Sequence, residues 1–291
     1  MPRSDIKMGW LPDLPDFRDY TEQTNTIHGL LKKVGVADPV SSTLPASVDL
    51  RQWCSPIEDQ KSLGSCTANA GVALVEYFQR RAFGKHIDAS RLFLYKVTRN
   101  LLGWTGDTGA FLRDTMKALV LFGVPPEKNW PYIIEDFEKE PTAFCYAFAQ
   151  NYQAIQYYRL DPPGSTPDDI MNRLWANLAG GLPAMFGFTV YSSIYDHDVQ
   201  NTGCIPFPAA TEGIEGGHAV CAVGYDDDKV ITNPNNNEST TGAFLIRNSW
   251  GTGWGESGYG WLPYEYVYKG LADDWWSLLD NEWIDTGEFS V

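Results

Sequence analysis

Positive charge is scarce in this chain. Its 291 residues carry 22 Lys and Arg against 37 Asp and Glu, a net charge of −15. That balance argues against a nucleic-acid groove and against docking on an anionic membrane, both of which need excess Lys and Arg. Long apolar runs are missing as well. No stretch reaches the 18 or so apolar residues of a membrane-spanning helix. The opening MPRSDIKMGW lacks the apolar core of a signal peptide. A soluble protein is expected, one that stays in the cytoplasm or is secreted after losing a signal. Cysteine is sparse: Cys54, Cys66, Cys145, Cys204 and Cys221 are an odd number without C-x-x-C spacing. A structural zinc site is therefore not expected, nor is any other metal or cofactor. If Cys66 stays free, the other four could form two disulfides at most, or none.

What is present is ordinary in bulk and unusual in detail. The chain is 43% hydrophobic and 14% aromatic, with eleven Trp, which suggests large packed layers and wide grooves. Its length allows one large domain or two. Residues 1–43 differ from the rest. GWLPDLPDFRDY mixes prolines and acids with Trp10, Leu11, Leu14, Phe17 and Tyr20, and Pro12 and Pro15 favour an extended path. LPASVDLRQW then reads as the start of a compact domain, 44–291. Helical patterns follow near 66–82, 90–101 and 110–122, with shorter ones near 141–149 and 167–179. From about 183, runs such as PAMFGFTVY, GGHAVCAVGYD and GAFLIRNSW read as strands. Helices first and strands later predict an α+β fold. Its helical lobe would span about 54–160 and its β lobe about 161–291, with a cleft between them.

The stretch SLGSCTANAGVALVEYF puts Cys66 at the first turn of a helix. As a bare cysteine it is as easily a small buried hydrophobe. The alternative is electrostatic: the first N–H groups of a helix and its dipole favour a thiolate, which is the nucleophilic form. Deciding between these needs a base, an orienting group and an oxyanion donor elsewhere. Among four histidines, His218 stands apart, because it opens a strand directly after Gly216 and Gly217. Strand-borne imidazoles are held rigidly, and glycines let another backbone approach. Asn248 ends the strand GAFLIR, and its amide oxygen could orient an imidazole; Trp250 beyond it could cover that bond. A plain Asn-Ser turn is the rival reading. Gln60 precedes Cys66 by six residues, and its amide could reach back towards the helix start.

Gln60 with GSC at 64–66, GGHAVCAVGYD at 216–226 and NSWGTGWGESGYG at 248–260 together resemble the papain family of cysteine peptidases, over about residues 44–262. GWLPDLPDFRDY is similar to the start of bacterial members with short leaders. The resemblance implies a two-lobed papain-like fold, with a helical left lobe and a β-barrel-like right lobe. It implies a thiol-dependent endopeptidase acting on peptides or proteins through an acyl-enzyme, with no cofactor. Cys66 would be the nucleophile, His218 the base and then the acid, and Asn248 the orienter. Gln60 and the Cys66 N–H would form the oxyanion hole. A thiolate–imidazolium pair would exist before substrate arrives. For the substrate, Gly109 in GDTGAF would pair with the peptide backbone. Phe111, Gly187 and Ala219 would wall an apolar pocket for the second residue before the cut. Gly217 would offer a carbonyl near the cut, and Trp250 would close that end. Ordinary packing is the competing reading for each.

The chain departs from the family pattern at two positions. The usual Cys three residues before the nucleophile is Leu63, and the usual aromatic after it is Thr67. WTGDTGAF also lacks the partner Cys, so the disulfide beside the active site should be absent. The loop ITNPNNNESTT lengthens the step from His218 to Asn248 and is expected to hang outside. A monomer is expected. The N-terminal segment is expected to lie in the cleft and restrain activity, burying Trp10, Leu11, Leu14, Phe17 and Tyr20 there. Packing on the back of a lobe for stability alone is the alternative. Two other functions remain open: an acyl transferase or amidase using the same chemistry, and an inactive peptidase fold that only binds.

Overall fold

The helical patterns of the first half become three packed helices in the computed structural model, which describes residues 6–36, 44–152, 156–280 and 286. A short helix precedes them: α1, Asn25–Lys33. The three are α2, Cys66–Phe83, α3, Arg91–Leu102, and α4, Leu112–Phe122. Helix α2 is buried on nearly every side, so its sequence shows no polar face. It can approach its neighbours closely because Gly71 has no side chain; a Cβ there would sit 3.0 Å from Thr115 and 3.2 Å from Leu94. Gly84 ends it in the left-handed conformation at φ 67°, as a C-terminal glycine does. Helices α5, Ala143–Ala149, and α6, Pro167–Ala179, follow. A reciprocal Thr166–Asp169 capping box starts α6.

The second half supplies the sheet. Its strands are β4, Gln156–Arg159, β5, Ala184–Tyr191, β6, Ile214–Thr232, β7, Ser239–Arg247, β8, Tyr259–Pro263, and β9, Ala272–Leu279. They pair antiparallel in the order β4-β9-β5-β6-β7-β8. The short β2, Ser47–Asp49, adds to the long β6. Gly224 permits this, because a side chain there would overlap the Val48 carbonyl. Part of the tryptophan content is spent here: Trp275 stacks on Phe186 with ring centroids 3.8 Å apart, and both are buried. The architecture is α+β, with the helical lobe set against the β lobe along α2 and β6. All five cysteines are free thiols. Among the described residues no helix is long and apolar enough to cross a membrane.

The N-terminal segment divides in two. β1, Trp10–Leu11, pairs parallel with β3, Ala110–Phe111, so the third helical pattern, expected near 110–122, starts two residues later, at Leu112. Of the apolar residues expected to bury in the cleft, Trp10 does, whereas Leu11, Leu14, Phe17 and Tyr20 are exposed. Proline at 12 and 15 prevents the continuous pairing that would have turned them inward. Apolar burial falls instead on α1, which the sequence reading missed. Ile27, Leu30, Leu31 and Val34 follow helical spacing and join the main core. Residues 1–5 and 37–43 of the expected leader lie outside the described residues. The 233–238 loop is tied down on one side, since buried Asn233 donates to the Phe207 carbonyl and to Glu212.

Candidate active site

Cys66 is the first residue of α2 and has no exposed surface. His218 is equally buried on β6, in register with Phe188 of β5 and next to Ala219, whose N–H points at the Cys66 sulfur. The His218 Nε2–H donates to Asn248 Oδ1 over 2.8 Å. That acceptor fixes the proton on Nε2 and leaves Nδ1 as the basic nitrogen. Nδ1 is buried and holds no hydrogen bond. Trp250 stacks on the imidazole at 4.6 Å and 27°, and at 2% exposure it keeps water from the His218–Asn248 bond.

Gln60 is also fully buried. Its Nε2 donates to the Leu63 carbonyl at 2.9 Å and to the Lys7 carbonyl at 3.1 Å. Its Oε1 accepts from the Ser249 hydroxyl at 2.7 Å, and its backbone N–H reaches the Ser249 carbonyl. Ser249 therefore holds the amide the right way round, with the donor side towards the cleft. The sequence reading did not single out Ser249, although its place between Asn248 and Trp250 was the available signal.

Residues 7–10 lie across these groups. The Lys7 carbonyl takes the Gln60 donor. The Gly9 N–H points at the Cys66 sulfur, while the Gly9 carbonyl turns away to accept from Ala110 N–H at 2.9 Å. Trp10 lies against Gly187 and Gly217, where any side chain would overlap it, and Met8 packs on Gly216. Only glycine fits at position 9 in this pose, since a Cβ there would overlap the Gly64 carbonyl.

This cover changes the protonation of the pair. Burial pushes the Cys66 thiol up to about 11, although the N–H groups of Ala219, Gly9, Thr67 and Cys66 oppose it. Burial likewise pushes His218 down to about 4, against the pull of Asn248. Burial therefore works against the expected ion pair in the covered state, while the N–H groups around the sulfur and Asn248 work for it.

The expected substrate-side residues gather around the same segment, with one change of role. Gly109 sits at φ 73° with its N–H bound to the Tyr95 hydroxyl, so the backbone donor to the segment is Ala110. Phe111 pairs with Leu11, and its ring lies against Trp104 at 5.4 Å. Gly187 and Gly217 flank the Trp10 indole, and Ala219 presents its N–H to the thiol. Where the family disulfide is missing, Leu63 packs with Leu92 and Tyr132. Asp107 also ties the two loops together, accepting from Gly64 N–H at 2.9 Å and from the Tyr95 hydroxyl at 2.6 Å. A second missed residue is Asp274, whose Oδ2 accepts from Trp10 Nε1 at 3.0 Å and from Asp13 N–H at 2.7 Å.

Comparisons with known proteins give the family. Residues 44–272 match the papain family cysteine protease model. The chain is 34% identical over 285 residues to the peptidase C1-like protein L477 of Acanthamoeba polyphaga mimivirus, covering 94% of this chain and 86% of that one. It is 31% identical to chicken cathepsin K, covering 75% of this chain and 59% of that protein's length. The crystal structure of xylellain, a cysteine protease from Xylella fastidiosa, is 35% identical, with a TM-score of 0.73 over 94% of this chain and 96% of that one. With a match over most of its length and relatives above 30% identity, this chain belongs to the papain family of cysteine proteases.

Proposed function

We propose that this papain-family cysteine peptidase cleaves peptide bonds at Cys66, and that residues 7–10 hold it shut until they are displaced. The observation that carries the chemistry is the single-sided tethering of His218. Asn248 takes the Nε2–H at 2.8 Å, which leaves a buried, unbonded Nδ1 to receive the thiol proton. Once the cover lifts and the site is wetted, the desolvation that works against the charged forms falls away and the thiolate–imidazolium pair can form. The thiolate attacks the substrate carbonyl carbon. The developing oxyanion takes the place of the Lys7 carbonyl, accepting from Gln60 Nε2 and the Cys66 N–H. One such donor contributes about 10²–10³ in rate. The imidazolium gives its proton to the leaving amine, and water then hydrolyses the acyl-enzyme.

At Gly9 the backbone turns its N–H and not its carbonyl to the thiol, and the Gly9 carbonyl is held by Ala110 on the far side. The experiment is alkylation of the full chain with a peptidyl epoxide, read by mass spectrometry, alongside hydrolysis of a fluorogenic peptide. Cys66 alone should be labelled. Cys66→Ala should abolish hydrolysis while the fold stays intact, since one small buried residue replaces another. Label on another cysteine, or activity in Cys66→Ala above trace level, would overturn the assignment.

A further inference from the structure

We propose that Asp274 is a specificity-determining residue of this cleft, selecting substrates with a tryptophan in the pocket that Trp10 fills. This rests on the peptidase reading above and names its substrate class. The pocket was expected to be apolar, and its sides are: Gly187 and Gly217 bring bare backbone against the indole. Its far end is a carboxylate. Asp274 Oδ2 receives the indole N–H at 3.0 Å, and the Asp274 side chain is 2% exposed.

The carboxylate is held in place from behind. Asp274 sits on β9 at φ 59°, a left-handed conformation in which a residue other than glycine is uncommon. Its own N–H is bound by Asp161 Oδ2 at 2.8 Å, and its Oδ1 by Arg159 at 2.8 Å. These partners belong to the body of the protein and stay when the segment leaves. Oδ2 is different: its two donors, Trp10 Nε1 and Asp13 N–H, both come from the segment. Displacement leaves a fixed, buried acceptor without a donor.

What enters next must answer that acceptor. Leucine or phenylalanine would fill the slot and strand Oδ2 away from water, at the cost of an unpaired buried charge. An indole restores the bond in a space already shaped to it. A site built to hydrogen-bond a substrate N–H rejects analogues that lack it far more strongly than it resolves apolar shapes. Arginine is the competing side chain, because Asp273 joins Asp161 and Asp274 around Arg159 and leaves carboxylate charge to meet a further cation.

The test uses the full chain and a set of peptidyl vinyl sulfones that differ only in the second residue before the warhead. That residue is Trp, benzothienylalanine (the same bicycle with sulfur in place of N–H), Phe or Arg. Alkylation of Cys66 is followed where its rate is linear in reagent. Opening of the segment then multiplies every rate by the same fraction, and the ratios read the pocket alone. Trp should exceed benzothienylalanine and Phe by about tenfold or more, and Asp274→Ala should collapse that ratio. If Asp274→Ala fails to fold, the series on the parent chain decides. Equal rates for Trp and benzothienylalanine, or Arg as the fastest, would overturn the proposal while leaving the peptidase reading intact. No labelling of Cys66 by any member would overturn both.

Discussion

The two halves of the N-terminal segment meet the rest of the molecule through different forces. Residues 7–13 lie on the reactive groups and combine the buried Trp10 and half-buried Met8 with polar contacts: Gln60 donates to the Lys7 carbonyl, Ala110 N–H to the Gly9 carbonyl and the Trp10 indole to Asp274, beside charges under low exposure. The Asp13 side chain is 1% exposed, its Oδ2 accepts from Trp276 Nε1 and from Arg113 N–H, and its Oδ1 lies 3.8 Å from the Arg113 guanidinium. Helix α1 instead buries Ile27, Leu30 and Leu31 in the main core, and Val36 beyond it packs on Gly180 at the end of α6. Apolar burial is indifferent to pH and hard to reverse locally. Polar contacts between buried charges respond to protons and to competing peptides. One half is built as an anchor and the other as a part that can let go.

The largest effect should come from making the cleft half unable to sit. Gly9→Leu would drive a side chain into the Gly64 carbonyl. Overpacking of this kind costs about 1–3 kcal/mol, or roughly 10–100-fold in docking. Alkylation of Cys66 in the full chain should rise by about that factor with little change in melting temperature. An unchanged rate would mean that residues 7–10 do not restrain the site.

Breaking the anchor half should do the reverse. Leu31 is 1% exposed, and Leu31→Ala should cost about 2–5 kcal/mol of global stability. Thermal unfolding would report the loss, while the Cys66 alkylation rate well below the transition should move less than about twofold. A large activation without destabilisation would erase the distinction between the halves.

A smaller effect separates them by pH. Burial first, and the Asp274 carboxylate next, push Asp13 up to about 7, against Arg113 and Arg159; Asp274 is itself raised by burial. A free aspartate titrates near 3.9. The docked segment therefore binds its proton more tightly than the free one does. Its hold is full below about pH 4 and is lost as pH rises through about 7. The ratio of Cys66 alkylation rates, parent over Asp13→Asn, should climb severalfold between about pH 6 and 8, because thiol titration is common to both chains and cancels. A flat ratio would remove Asp13 from the latch. The smallest change is expected at Phe17, which is 97% exposed. Phe17→Ser should alter stability by less than about 0.5 kcal/mol and leave alkylation unchanged, which a melting curve and the same assay would check.

Several features were legible because they are local. A helix starting at Cys66 follows from apolar spacing and a preceding Gly-Ser turn, and α2 begins at that residue. His218 and Asn248 could be paired because each lies on a short strand pattern flanked by Gly or Asn-Ser, and adjacent antiparallel strands bring them within 2.8 Å. Helix α1 was less legible: the prolines before it suggested an extended path throughout, and Gly29 lies in its middle. The exposure of Leu14 and Phe17 was invisible because apolar identity says nothing about which side of an extended segment meets a partner.

The sequence by itself determined the kinds of reactive groups, their order along the chain and the elements that carry them, because helix and strand periodicity and turn chemistry act over a few residues. It did not determine what covers those groups or in what charge state they rest. Trp10 meets Asp274 across 264 positions, and no local pattern encodes that distance. The upward push on Cys66 and the downward push on His218 come from burial, which residues 7–10 complete. Burial of a charge is a property of the assembled surroundings, so only the tertiary structure could decide it.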